Sequence, residues 1–519
     1  MKKNLNRRDF LKMTGGALAV SALSCSRFLP QSLGKSNDRT GIEPTAADDV
    51  TVIPNVDRPN IVFIMVDDLD ATLGTTDYMP NLEKYLTNQG VSFEQFFTPT
   101  PVCCPSRVTF LTGQYARNHQ IYMNQPPEGS FEKFNLLGSE ASTVATWLSA
   151  AGYRTGFMGK YMNHYPFPDN KTYIPPGWSE WYCPAKGKPY TGFGYTLNEN
   201  GSLVEYQEAP KHYMTDVLRD KAKRFIEGAT ENENPFFLYL TTFVPHEPYT
   251  PAPRHADEFK DIQAPRTAAF NEDDVSDKPS GIRNDPSLTD EEIGDIDGVH
   301  RLRVQSMRAV DEMIEDLINL LEEQNLLENT YVIFTSDNGF HLGQHRMKPG
   351  KAHPYEEDIR VPFIIRGPGI PTGEVIEDYI AGNVDFAPTI AELAGVIPPD
   401  YVDGRSLVSI FIEEKPLPEV WRQAMPIEFY GHKVEENETA KPWYLGVRTL
   451  DSLYVEYEED FIEFYDLTND PDQLENIARN TDPELLTQFS TWLQEIYPSS
   501  GEKCRQLENE FINGGSTDV

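Results

Sequence analysis

Continuous apolar segments that end in polar residues constrain the fold of this chain more than any other feature. Residues 60–66 (Asn-Ile-Val-Phe-Ile-Met-Val) precede Asp67 and Asp68, and residues 331–335 precede Ser-Asp-Asn-Gly at 336–339. Such runs are typical of strands buried on both faces. Further strands are predicted at 154–158, 235–242 and 361–366, and helices at 142–150 and up to residue 323. This alternation predicts an α/β fold with a large mixed, mostly parallel sheet sandwiched by helices.

The character of the chain changes near residue 425. Strands are predicted at 444–449, 452–457 and 461–467, followed by a helix at 483–495. This order predicts a smaller C-terminal α+β domain with an antiparallel sheet over 425–519, after a large domain over 59–424. Residues 252–300 are rich in Asp, Glu and Pro, which predicts an acidic insertion on the surface of the large domain.

The N-terminus reads as a targeting segment. Residues 1–26 carry Arg7 and Arg8 before an apolar run of small residues, a pattern similar to a twin-arginine-type export signal, and 27–58 reads as a linker. The pattern predicts the twin-arginine translocase as a partner and an exported location, periplasmic or extracellular. Cys25 offers an alternative as a lipoprotein acceptor.

Acidic residues dominate the composition, with 81 Asp and Glu against 45 Lys and Arg and a net charge of −36. This charge argues against general nucleic-acid binding. An anionic substrate would need a local basic pocket to overcome the repulsive field of the whole chain.

The most specific motif is Cys-Cys-Pro-Ser-Arg-Val-Thr-Phe-Leu-Thr-Gly at residues 103–113. Arg107 lies four residues after Cys103 and shares a helix face with it. The motif resembles the sulfatase signature, in which the first cysteine becomes formylglycine. The resemblance implies that a formylglycine-generating enzyme converts Cys103, whose hydrated aldehyde is then the nucleophile. A buried free thiol or a disulfide is the alternative for Cys103, and whether Cys183 and Cys504 pair is left open.

A metal site is predicted where two of the strands end. Asp67, Asp68, Asp337 and Asn338 supply only oxygen ligands, which suit Ca²⁺ or Mg²⁺ better than zinc. The family resemblance implies that these residues and Cys103 bind a divalent cation, with Ca²⁺ favoured over Mg²⁺.

The resemblance also assigns the remaining site residues. Lys160 and Lys351 match lysines that hold the sulfate group, and His246 matches a histidine near the leaving oxygen. Either His246 or Lys351 could protonate the leaving group. Asn163 and His341 are predicted to contact the substrate. The Gly-Lys-Tyr-Met-Asn segment at 159–163 is similar to sulfatases that act on N-acetylglucosamine 6-sulfate.

The predicted function is therefore sulfuric ester hydrolysis on a sulfated carbohydrate, with 6-sulfated N-acetylglucosamine or a related glycan as the substrate. Two alternatives remain at this stage. One is a phosphonate or phosphodiester hydrolase of the same superfamily, and the other is a non-catalytic binder of sulfated glycans in which Cys103 stays a thiol.

Overall fold

A computed structural model describes residues 50–54, 58–229, 234–431 and 441–511. The strands are β1 (Thr51–Val52), β2 (Asn60–Val66), β3 (Val91–Phe93), β4 (Phe96–Phe97), β5 (Arg154–Gly159), β6 (Glu180–Gly187), β7 (Tyr195–Glu199), β8 (Ser202–Tyr206), β9 (Phe236–Thr241), β10 (Thr330–Ser336), β11 (Phe363–Arg366), β12 (Glu374–Ile376), β13 (Ala381–Gly382), β14 (Val396–Ile397), β15 (Met425–Phe429), β16 (Tyr444–Arg448), β17 (Ser452–Tyr457) and β18 (Ile462–Asp466). The predicted export signal at 1–26 and Cys25 lie outside the described residues.

The helices are α1 (Pro80–Tyr85), α2 (Cys103–Thr112), α3 (Ala116–His119), α4 (Ser130–Leu136), α5 (Val144–Ala150), α6 (Met214–Ala229), α7 (Asp290–Glu323), α8 (Glu356–Ile359), α9 (Phe386–Leu393), α10 (Val408–Phe411), α11 (Pro483–Ile496) and α12 (Gly501–Glu510). Within the described ranges, none of these helices combines the length and the apolar character that crossing a bilayer requires.

Ten strands form the central sheet, in the order β12-β3-β11-β10-β2-β9-β5-β6-β7-β8. The five central strands run parallel to one another, in the order β10, β2, β9, β5 and β6. At the two ends of this group, β11 pairs antiparallel with β10, and β7 pairs antiparallel with β6 and β8. The sheet is therefore mixed with a parallel centre. This topology confirms the predicted α/β class.

The two faces of strand β2 bury different cores. Ile61, Phe63 and Met65 join one cluster with residues of α2, α5 and α9. Val62, Ile64 and Val66 join another with residues of α6 and α7. Alternate side chains of a strand point to opposite faces, so helices cover both sides of the sheet. This burial explains why residues 60–66 are apolar without alternation.

The C-terminal region carries a four-stranded antiparallel sheet in the order β15-β16-β17-β18. Phe489, Trp492 and Leu493 of α11 join the same core cluster as Tyr454 and Val455 of β17. This arrangement confirms the smaller α+β unit in the predicted fold. The chosen boundary at residue 425 stays a prediction, because that cluster also contains residues that precede it, such as Tyr115.

The segment predicted as an acidic surface insertion is partly buried. Helix α7 begins at Asp290, where Thr289 and Glu292 form a capping box, so 290–300 belongs to a long helix. Before it, Val275 and Ile282 are buried among residues of the C-terminal sheet. Local composition suggested exposure, but these apolar side chains anchor the segment through contacts distant in sequence.

Lys278 provides the firmest of these anchors. Its side chain is fully buried, and Nζ donates to the backbone oxygens of Gln473 (2.7 Å) and Leu474 (2.9 Å). The same Nζ lies 4.9 Å from the centre of the Tyr465 ring. The C-terminal region thus supplies the hydrogen-bond acceptors of this buried cation, and Glu272 and Asp277 of the inserted segment lie 3.8 and 3.7 Å from it.

Replacing Lys278 with Ala is expected to lower the free energy of unfolding by about 3 kcal/mol, because two carbonyl oxygens lose a charged donor. Denaturant unfolding measures the loss. Lys260→Ala is the matched control, since that lysine is 64% exposed in an ion pair with Asp257, and exposed pairs contribute about 0–1 kcal/mol. Equal losses in the two variants would contradict the anchoring role of Lys278.

Candidate active site

The carboxyl ends of β2 and β10 bring four polar side chains together. These strands are parallel neighbours, so Asp67 and Asp68 emerge beside Asp337 and Asn338. The backbone N–H of Asp68 donates to Asp337 Oδ1 (3.1 Å), and Asn338 Nδ2 donates to Asp68 Oδ1 (2.8 Å). All four side chains are buried. The edge of the sheet thus holds a compact group of oxygen donors.

Helix α2 begins at Cys103 and directs its first side chain into this group. The Cys103 thiol is buried, with Sγ 3.6 Å from Asp67 Oδ1 and 3.9 Å from Asp68 Oδ1. Lys351 Nζ lies 2.8 Å from the same sulfur. Burial raises the pKa of the Cys103 thiol to about 11, although Lys160 and Lys351 act in the opposite direction. An unmodified Cys103 is therefore protonated near neutral pH and is a weak nucleophile.

Arg107 lies one helical turn after Cys103 and is also buried. Its Nε donates to Asp337 Oδ2 (2.8 Å), and its Nη1 donates to the backbone oxygen of Lys160 (2.6 Å). Nη2 lies 3.6 Å from Asp67 Oδ1 and has no hydrogen-bond partner among the described residues. One face of this guanidinium is thus available for another anion.

Two lysines complete the charged cluster. Lys160, after β5, donates to Asp67 Oδ2 (2.5 Å), and Lys351 donates to Asp68 Oδ1. Burial opposes the charged form of both lysines, yet the neighbouring carboxylates raise the pKa of each above its usual value. Burial likewise opposes ionisation of Asp67, but Lys160, His246 and Arg107 hold its pKa well below its usual value. Lys160, Lys351 and Asp67 are therefore charged, whereas burial and the neighbouring Asp67 raise the pKa of Asp337.

His246 lies at the mouth of the site, in the loop after β9. Its side chain is 25% exposed, and Nε2 lies 3.7 Å from Asp68 Oδ2. Nδ1 lies 2.8 Å from the backbone oxygen of Glu247. This imidazole is the part of the cluster that a bulky group arriving from solvent meets first.

Two residues predicted to contact the substrate, Asn163 and His341, have other contacts in the structure. Asn163 accepts a backbone hydrogen bond from Phe131 (2.9 Å), and its side-chain oxygen is buried without a partner among the described residues. His341 Nδ1 lies 2.9 Å from Asp358 Oδ1. In the described part of the chain, no hydrogen bond or ion pair joins either residue to Cys103, so their predicted roles stay predictions.

The described cysteines form no disulfide, and each is a buried free thiol. Cys504 Sγ lies 3.2 Å from Arg117 Nη2, and Cys183 lies in the large core cluster with Trp181. The two cysteines whose pairing the sequence left open therefore have separate surroundings. Cys104 is fully buried in the same core cluster as Cys183, as a packing residue would be.

Sequence reasoning missed two residues beside the cluster. The ring of Tyr190 lies 4.7 Å from the ring of His246, and Lys160 Nζ lies 5.1 Å from the centre of the Tyr190 ring. Arg303 of α7 donates to the backbone oxygen of Asp68 (2.6 Å). Nothing in the turn around Tyr190 signals a site. Arg303 was detectable as a charged residue beside Val304 on the apolar face of its helix.

The donor set fits a hard divalent cation. Single ligand atoms of Asp67, Asp68, Cys103 and His246 lie within 4.8 Å of one another. Asp337 Oδ1, which accepts from the Asp68 N–H, and Asn338 Oδ1, 3.4 Å from Lys351 Nζ, are further oxygen atoms beside this group. Carboxylate and amide oxygens in such number are typical of Ca²⁺ or Mg²⁺ sites. The buried carboxylates can therefore hold a metal ion at this point.

Comparisons with known proteins agree with this geometry. The family described as N-sulphoglucosamine sulphohydrolase, C-terminal, matches residues 343–496. Human N-acetylglucosamine-6-sulfatase is 34% identical over 482 residues, which cover 86% of this chain and 86% of the human protein. The solved structure of a protein in complex with its substrate D-glucosamine-2-N,6-O-disulfate aligns with a TM-score of 0.67 and 25% identity, over 84% of this chain and 97% of that one.

A phosphonate monoester hydrolase from Silicibacter pomeroyi has the same fold, with a TM-score of 0.66 and 22% identity over 85% of this chain and 94% of that chain. The fold alone thus leaves the transferred group open. The Sulfatase family itself matches residues 59–396. This match and the similarity to the human enzyme over 86% of both chains show that the chain belongs to the sulfatase family and is a sulfatase.

Proposed function

We propose that this sulfatase removes a sulfate ester from a carbohydrate, and that the substrate unit is a 6-sulfated N-acetylglucosamine or a related glycan. The proposal depends mainly on one observation, the buried Cys103 thiol 2.8 Å from Lys351 Nζ and beside Asp67 and Asp68. The substrate class is supported by the similarity to human N-acetylglucosamine-6-sulfatase and to a protein bound to a disulfated glucosamine.

In this proposal a modified Cys103 and a metal ion supply the chemistry that side chains lack. A formylglycine at position 103 would supply a hydroxyl to attack sulfur, and a Ca²⁺ held by Asp67, Asp68, Asp337 and Asn338 would neutralise sulfate oxygens. Maturation would require a formylglycine-generating enzyme. Export by the twin-arginine translocase, to the periplasm or beyond, is part of the same proposal.

The cations of the site would bind and orient the sulfate group. Lys160, Lys351 and Arg107 surround the Cys103 side chain, and Arg107 Nη2 has no hydrogen-bond partner among the described residues. Fixed positive charges in a buried site stabilise oxygens that gain negative charge during the reaction. These groups also explain how an anion could bind a chain with a net charge of −36.

His246 is proposed to protonate the leaving sugar oxygen. It is the partly exposed group at the mouth of the site, where the sugar side of a bound ester would lie. A sugar alkoxide is a poor leaving group and needs a proton in the transition state, which a positioned imidazole can supply. Lys351 is the alternative donor, because its neighbours keep it charged.

Replacing His246 with Gln tests this role. We expect kcat for a sulfated sugar to fall by about 10² or more, because general acid catalysis contributes about 10²–10⁴. For 4-nitrophenyl sulfate, whose leaving group needs little protonation, the loss is expected to be several times smaller. Steady-state kinetics on both substrates measure the difference. A uniform loss would instead assign His246 to binding and leave Lys351 as the acid.

The proposed substrate is tested by a panel of singly sulfated sugars. The wild-type enzyme is expected to prefer N-acetylglucosamine 6-sulfate over the 3-sulfate and over galactose sulfates in kcat/KM. An aryl phosphodiester and an aryl phosphonate serve as the competing arm, because a phosphonate monoester hydrolase shares this fold. Faster turnover of the phosphorus esters than of every sulfate ester would overturn the proposed function.

A further inference from the structure

A cavity of about 420 Å³ opens beside the turn that carries Tyr190. This size is within the range of small-molecule sites. Its wall combines an aromatic ring, proline faces, hydroxyls and a lysine, from Lys188, Thr191, Phe193, Pro210, Thr250 and Pro253. Apolar faces with a few polar groups at the edge are the surface that a sugar ring requires.

The cavity adjoins the catalytic cluster through two segments of the chain. Thr191 directly follows Tyr190, whose ring lies 4.7 Å from the ring of His246. Thr250 and Pro253 lie in the same loop as His246, after β9. The segments that carry Tyr190 and His246 therefore both continue into the cavity wall.

A second cavity of about 500 Å³ extends the first along the β6–β7 hairpin. Glu208 lines both cavities, and Lys186 lines the second. Lys186 and Lys188 flank Gly187, where the chain turns out of β6 with a positive φ of 88°. The two cavities share Glu208 in their walls, and together they are called the groove below.

The lining of the groove is less acidic than the chain as a whole. Lys186 and Lys188 balance Glu205 and Glu208 in its lining, whereas the whole chain has a net charge of −36. A sulfated chain in the groove therefore meets as many ammonium groups as carboxylates in the lining. Carboxylates and ammonium groups also hydrogen bond to sugar hydroxyls.

We propose that this groove binds the sugars that continue a glycan beyond the sulfated unit held at Cys103. The inference rests on the proposed function and adds that the natural substrate is an oligosaccharide rather than a single sugar. Lys188 would contact a sulfate or hydroxyl of the adjoining sugar, and Phe193 would pack against its C–H face.

The test compares a monosaccharide, N-acetylglucosamine 6-sulfate, with a tetrasaccharide that carries the same 6-sulfated unit. In the wild-type enzyme, kcat/KM is expected to be about tenfold higher for the tetrasaccharide. Lys188→Glu is expected to lower the ratio of the two values by about tenfold, the loss of one charge-assisted hydrogen bond. Lys503→Glu, an exposed lysine on α12, is the matched control and should leave the ratio unchanged.

The possible outcomes separate this inference from the proposed function. An unchanged ratio in Lys188→Glu, or no gain with chain length in the wild type, overturns the groove while leaving the sulfatase proposal intact. If the wild type hydrolyses neither sugar, the proposed substrate fails. Calorimetric titration with the tetrasaccharide then decides the groove, since weaker binding to Lys188→Glu supports it and equal binding overturns it.

Discussion

Replacing Cys103 with Ala is expected to abolish sulfate ester hydrolysis, with a loss in kcat of at least about 10⁴-fold. The side chain is the one group that projects from the start of α2 among Asp67, Asp68 and Lys351. Alanine cannot be converted to an aldehyde and offers no nucleophilic atom. The cations that bind sulfate remain, so substrate affinity measured by calorimetry should change by less than about threefold.

Cys104→Ala provides the matched control for this loss. Cys104 is the adjacent thiol, equally buried, but it packs in the core cluster with Val108 and Phe131. Removing its sulfur should cost about 1 kcal/mol of stability and leave kcat near the wild-type value. Hydrolysis that persists in Cys103→Ala would remove the nucleophile assignment, and an equal loss in Cys104→Ala would point to damaged folding of α2.

The second large effect is expected from Lys351→Ala. In the wild type, Lys351 Nζ lies 2.8 Å from the Cys103 sulfur. It also contacts Asp68 and lies 3.4 Å from Asn338 Oδ1. Removing one positioned donor from a site of charge stabilisation costs about 10²–10³ in kcat. We expect a loss of about 10³-fold, because the lysine would bind sulfate and also offsets the buried Asp68 carboxylate. Kinetics with a saturating sulfate ester measure it.

Lys348→Ala is the control in the same loop. Lys348 is 77% exposed and forms an ion pair with Glu292 at 3.2 Å, away from the catalytic cluster. Its removal should alter kcat by less than about twofold. A comparable loss in both variants would mean that the loop conformation, rather than the Lys351 charge, supports activity.

The sequence carried enough information for the sheet and for the group of acidic residues at its edge. Residues 61–66 and 331–334 lack polar alternation because both faces of β2 and β10 are covered, and parallel neighbours end at one edge. Asp67 and Asp337 follow those strands directly, so their proximity follows from topology. Cys103 was identifiable from its motif, and helix α2 begins at the first residue of that motif.

Residues recruited from distant segments were harder to predict. Tyr190 approaches His246 only because the β6–β7 connection folds over the loop after β9, and no local pattern encodes that contact. Lysine is usually a surface residue, yet Lys278 is fully buried and donates to the backbone oxygens of Gln473 and Leu474. The contact between His341 Nδ1 and Asp358 Oδ1, at 2.9 Å, is a further example, while the predicted contact of His341 with the substrate stays a prediction. Such contacts depend on tertiary packing rather than on periodicity.

Mass analysis of the tryptic peptide that contains Cys103, taken from protein matured in a host with a formylglycine-generating enzyme, tests the central claim most directly. We expect an aldehyde at position 103 that reacts with a hydrazine probe, together with an unmodified thiol at Cys104. A free thiol at position 103 in protein that still hydrolyses sulfate esters would contradict the proposed nucleophile.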